Sequence, residues 1–151
     1  MTTPFTKSSD IAEYLTTLLS GITVANGYNT DIGLRVYRGK RSKVEEQVPC
    51  AIIIEGEDRP GDSAGRDAIK IVQDYVCGGY VECDPDNPND AAHLVLKDIK
   101  RVLFKDGARM GGRVANISYA GRDIGPRSDG VAIVFAVVHF NVTFAETLVD
   151  A

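Results

Sequence analysis

At 151 residues, with 44% hydrophobic and 25% charged content, the chain has the size and composition of one soluble globular domain spanning 1–151. A net charge of -4 and a pI near 5.1 exclude a global field that would draw in nucleic acid or an anionic membrane. No apolar run approaches the about 18 residues of a spanning helix, and the opening MTTPFTKSSD lacks the apolar core of a signal peptide, so a cytoplasm is the expected starting compartment.

Residues 1–8 and 146–151 are expected to be flexible ends. Asp10 with Glu13 three residues later forms a capping-box-like pair that opens a first helix. Ile11, Leu15, Leu18, Leu19 and Ile22 share its apolar face, and Gly21 with Asn26-Gly27-Tyr28-Asn29 ends it. Leu34 to Arg38 alternates as a short strand, followed by a basic loop up to Pro49. Cys50 to Glu55 (CAIIIE) reads as a compact buried strand. Glu57 to Asp67 (EDRPGDSAGRD) carries Pro60, Gly61 and Gly65 among mixed charges, and reads as a mobile loop.

Ala68 to Cys83 is long for a strand. Ile69, Ile71, Tyr75, Cys77 and Val81 form its apolar face, and Gly78-Gly79 predicts a bulge or bend. A second helix starts at Asn87 as N-cap with Pro88 at the first helical position. Its buried stripe is Ala92, Val95, Leu96, Ile99, Val102 and Leu103, and Gly107 closes it. Val114 to Tyr119 makes a fourth strand, Arg122 to Gly130 a turn, and Val131 to Phe144 the last strand.

That last strand is apolar on both sides. Val131, Ile133, Phe135 and Val137 match Val134, Val138, Phe140 and Val142 on the opposite face. Side chains alternate across a strand, so both faces require cover. With two helices available, part of the cover is expected from other copies or a partner. The element order α-β-β-β-α-β-β, with mostly short connections, predicts an α+β fold: a mostly antiparallel sheet of about five strands packed by two helices.

Cys50, Cys77 and Cys83 are an odd set. Cys77 and Cys83 sit six residues apart on one strand, roughly 20 Å when extended, beyond the about 7 Å that a disulfide tolerates. Reduced, packed thiols are the expectation. Asp84-Pro85-Asp86-Asn87-Pro88-Asn89-Asp90 is superficially like a calcium loop, but Asn89 stands where the glycine is required, so a turn and helix cap explain it. Arg35, Arg38, Lys40, Arg41 and Lys43 form a basic run followed by Glu45 and Glu46. A solvated loop is its plainer explanation and an acidic protein surface its functional one. His93 and His139 stand apart, and no nucleophile elbow, phosphate loop or zinc helix motif occurs. Neither a catalytic residue nor a cofactor or metal is expected.

Taken together, the segments resemble the tail terminator (tail completion) proteins of tailed bacteriophages, the minor-tail-protein U-like group. The likeness lies in the opening amphipathic helix and in Arg35-Val36-Tyr37-Arg38-Gly39-Lys40-Arg41 before the Pro49-led strand PCAIIIEGE. It continues through the long strand ending Gly79-Tyr80-Val81-Glu82-Cys83 and the Asp/Asn-rich lead into the second helix, and spans roughly Asp10 to Phe144. The resemblance implies a homo-oligomeric ring, typically a hexamer, that is assembled in the host cytoplasm and resides in the virion tail. Such a ring stacks on the tail tube protein, stops tube polymerisation and offers a surface to the head–tail connector protein. Genomic DNA passes its lumen without sequence reading, and no membrane is involved. Interface candidates are the basic run Arg35, Arg38, Lys40, Arg41 and Lys43, together with Arg59, Asp62 and Arg66 in the loop. Two other readings fit the same segments: a head–tail connector or neck protein, and a small bacterial enzyme or ligand-binding domain with a pocket around Tyr75, Tyr80 and His139.

Overall fold

A computed structural model describes residues 7–39, 47–63, 67–105, 110–125 and 130–149. Among them, two α-helices and a five-stranded mixed sheet form an α+β fold: α1 (Lys7–Ser20), β1 (Val36–Arg38), β2 (Cys50–Ser63), β3 (Ala68–Glu82), α2 (Pro88–Phe104), β4 (Asn116–Ile124) and β5 (Ile133–Thr147). The spatial order is β1-β2-β3-β5-β4. All neighbours are antiparallel except β1 and β2, whose parallel pairing runs from Val36↔Ala51 to Arg38↔Ile53.

Both helices share a single core with one face of this sheet. Ile11, Leu15 and Leu19 of α1 and the predicted stripe of α2 pack with Ile53, Tyr75, Cys77, Val81, Val138, Phe140 and Val142. The apolar spacing read from each helix is the spacing that faces the sheet. Each buried aliphatic side chain contributes about 1.5–3 kcal/mol relative to exposure, so this layer dominates the stabilisation.

Several boundaries differ from expectation, each for a physical reason. α1 begins at Lys7, because Asp10 lies inside the first turn rather than at the N-cap, and its carboxylate receives Arg113 Nε at 3.1 Å. Lys7 and Ser8 are thus helical, and Glu146 and Thr147 pair with Ile69 and Ala68, in place of the flexibility expected of both stretches; residues 1–6 and 150–151 lie outside the described set. The loop expected over 57–67 is strand as far as Ser63; residues 64–66 lie outside the described set. Pro60 is tolerated there because, among the described residues, β1 pairs only with Ala51 to Ile53 and the rest of β2 is an edge that needs no outward N–H donor. Register shifts between Glu55/Asp58 and Pro60/Ser63 absorb the irregular sequence, and Gln73 Nε2 donates to Gly56 O at 2.7 Å across the first.

The bulge expected at Gly78-Gly79 is not formed. The pairing of β3 with β5 is continuous from Ala68↔Thr147 to Glu82↔Ile133. These glycines instead make room for neighbours on opposite faces. A Cβ on Gly78 would meet Val137 Cγ1 at 2.6 Å and Phe135 Cε1 at 2.9 Å; one on Gly79 would meet Ile32 Cδ1 at 3.0 Å and Val95 Cγ1 at 3.1 Å. A further irregularity in the sheet falls between Tyr119 and Gly121 of β4, which extends to Ile124 into the expected turn. Asn87 caps α2 without a side-chain hydrogen bond; the preceding turn is held by Asp86 N–H donating to Asp84 Oδ1 at 3.0 Å. Gly107 lies outside the described residues.

Candidate assembly surface

The second face of the sheet carries the surface in question. On β5 the even positions from Val134 to Phe144 are buried under the helices, whereas Ile133, Phe135 and His139 are half-buried on the opposite side. Pairing propagates this parity across the sheet: Phe135 opposes Tyr80, His139 opposes Val76, and Val76 opposes Ile54. The rings of Tyr80 and Phe135 stack at 4.3 Å between centroids. With Cys50, Ile52 and Val137 buried between them, Ile54, Val76, Tyr80 and Phe135 form a half-buried apolar surface that neither α1 nor α2 covers; Val72 shares this face but lies beyond Asp74, which pairs with Arg59. The two-faced character of β5 is therefore present, and the helical layer accounts for one side of it.

The expected interface residues are dispersed. Arg38 leaves β1 toward the helix side and pairs with Glu13 at 3.6 Å and Glu55 at 3.7 Å. Arg35 Nη1 donates to Pro49 O at 3.1 Å. Both thus tie β1 into its own subunit, and reversing Arg38 would set three carboxylates together. Arg59 faces Asp74 across the β2–β3 hairpin at 2.6 Å, and this hydrogen bond with its attraction raises the Arg59 pKa. Asp62 lies in β2, while Lys40, Arg41, Lys43 and Arg66 lie outside the described residues.

The pocket imagined around Tyr75, Tyr80 and His139 does not form, because parity separates them. Tyr75 points into the helix layer and stacks on Phe140 at 5.7 Å, whereas Tyr80 and His139 face the other way. Among the described residues no group of three His, Cys, Asp or Glu side chains is placed to hold a metal ion. Cys50, Cys77 and Cys83 form no disulfide among the described residues, and burial pushes the Cys77 thiol upward, away from a reactive thiolate.

Tyr75 poses a separate question. The residue is 1% exposed and its hydroxyl has no hydrogen-bond partner among the described residues. Burial, followed by the nearby Glu55, raises its pKa strongly. An orphaned buried hydroxyl costs about 1–3 kcal/mol, so Tyr75→Phe, which keeps the ring stack, is expected to raise stability by about 1 kcal/mol. Urea unfolding checks this, and a lower midpoint would mean that the hydroxyl contributes to the fold.

Two features of α2 escaped the sequence reading. Asp98, 0% exposed, accepts hydrogen bonds from Asn29 N–H at 3.0 Å, Thr30 N–H at 2.8 Å, Thr30 Oγ1 at 2.7 Å and Asn29 Nδ2 at 2.9 Å. An acid amid an apolar stripe was the available signal. The outward positions Lys97, Lys100, Arg101 and Lys105, one per turn or adjacent, are all cationic, and none has a carboxylate within ion-pair distance among the described residues.

No protein-family profile matches the chain, and no curated protein matches it.

Proposed function

We propose that the protein is a structural subunit of a homo-oligomeric ring, a hexamer on the resemblance, that caps a phage tail tube. In this reading it ends tube polymerisation and presents the attachment surface for the head-side connector. The observation that carries the reading is the apolar sheet face formed by Ile54, Val76, Tyr80 and Phe135, outside the helical layer. A sheet that has both helices on one side and large apolar side chains on the other gains by covering the second side with protein. The α-β-β-β-α-β-β order on which the resemblance rests is compatible with the same reading.

Arg35 and Arg38 take a structural part here, holding β1 against β2 and α1. The edge formed by β2 beyond Glu55, which carries Arg59, supplies a second, polar contact region for a neighbouring subunit. The experiment is light scattering and negative-stain microscopy of the purified protein, alone and with purified tail tubes. Rings alone, or rings on tube ends, are expected. Compact monomers under both conditions would overturn the proposal.

A further inference from the structure

The chain as a whole is acidic, yet a row of cations lies on the outward face of α2. Lys97 stands at the centre, Lys100 and Arg101 one turn on, and Lys105 a turn further. At 1.5 Å rise per residue the four cover about 12 Å along the axis. Three of them are steadied by aromatic rings on either side: Lys100 Nζ lies 5.1 Å from the centroid of Tyr119, and Arg101 Cζ and Lys105 Nζ lie 4.4 Å and 6.0 Å from that of Tyr28. Arg101 Nη1 also donates to Gly27 O at 2.9 Å, and Lys105 Nζ to the Tyr28 hydroxyl at 3.3 Å. These partners are neutral. They hold the cations in place, and among the described residues no carboxylate pairs with them. The acid within the same stretch, Asp98, is turned inward and taken up by Asn29 and Thr30.

We propose that this face of α2 is a sequence-blind contact for the phosphate backbone of duplex DNA. Complementation of the helix dipole accounts for cations in the last turn, but Lys97 and Lys100 lie before it. A duplex offers one phosphate charge per about 1.7 Å of its axis, so a row of cations about 12 Å long meets several phosphates at once. No base-reading device accompanies the row, which matches a contact that tolerates moving DNA. Placement of α2 toward a lumen rests on the ring reading; the phosphate contact itself does not.

The test measures fluorescence anisotropy of a short labelled duplex with the intact protein between about 50 and about 200 mM salt. The expected log–log salt slope is about -3 to -4 per subunit engaged, from about 0.9 per phosphate contacted. Two duplexes of unrelated sequence should compete equally. Lys97→Gln with Lys100→Gln should reduce the slope by about 2 and leave the melting temperature unchanged. Light scattering on the same samples reads ring formation separately. Salt-dependent binding by a monomer keeps this inference and removes the ring; rings without such binding do the reverse. An unaltered slope in the double variant overturns the assignment to α2. So does loss of ring formation in the double variant with no duplex binding by the parent, which would give the stripe to an acidic protein surface.

Discussion

Asp98→Ala is expected to lower the stability of the protein by about 4 kcal/mol, and its melting temperature by about 10 °C. The carboxyl oxygens are the acceptors for the backbone N–H groups of Asn29 and Thr30 and for the Thr30 hydroxyl, at 2.7–3.1 Å. Removing them leaves buried donors unpaired, each at about 1–3 kcal/mol, in addition to a cavity. Asp98→Asn tests the same point at nearly constant volume. Its amide nitrogen would face donors, so a loss of about 2 kcal/mol is expected. Urea or thermal unfolding of the three proteins measures both effects. Stability of Asp98→Ala within about 0.5 kcal/mol of the parent would show that the segment from Thr23 to Leu34 is held by its apolar contacts alone.

Val72→Lys combined with Val76→Lys is expected to abolish assembly while leaving the subunit folded. Both valines are half-buried on the sheet face away from the helices, so the lysine stems can lie along the surface with their charges in water, at a cost of about 1 kcal/mol or less per site. In a ring that covers this face the same ammonium groups would be desolvated, with only Asp74, already paired with Arg59, beside them. A penalty of about 3 kcal/mol weakens association by more than about 100-fold. Light scattering, tube-end occupancy and the melting temperature together give the answer. Normal rings from the double variant would move the interface off this face, to the polar edge of β2 or to the groove bounded by Val24, Asp31, Glu82 and Leu94.

Both predictions concern residues that local patterns treat differently. Val76 belongs to an apolar strand whose alternation is plain in the sequence, although the face it lies on follows from pairing with Ile54 and His139. Asp98 interrupts the stripe of Val95, Ile99 and Val102, and local reasoning has no way to find its partners 68 and 69 residues earlier in the chain. The basic run drew attention because its charges are contiguous in sequence. The α2 cations are separated by apolar residues, and only the helix brings them to one face.

By itself, the sequence determined the element order, both helical stripes, the inward face of β3, the unbridged cysteines and the α+β class, because these follow from periodicity and capping within short windows. Tertiary structure decided what depends on distant partners. Pairing with β3 drew residues 57–63 out of an expected loop into an edge strand, where Pro60 lacks no hydrogen bond that the sheet needs. Continuous register through Gly78 and Gly79 turned an expected bulge into packing space for Phe135 and Ile32. Salt bridges to Glu13 and Glu55 drew Arg38 into its own subunit. Strand parity set Tyr75 and His139 on opposite sides of the sheet. Backbone hydrogen bonding and charge pairing act between segments far apart in sequence, and short-range patterns carry no information about which segments will meet.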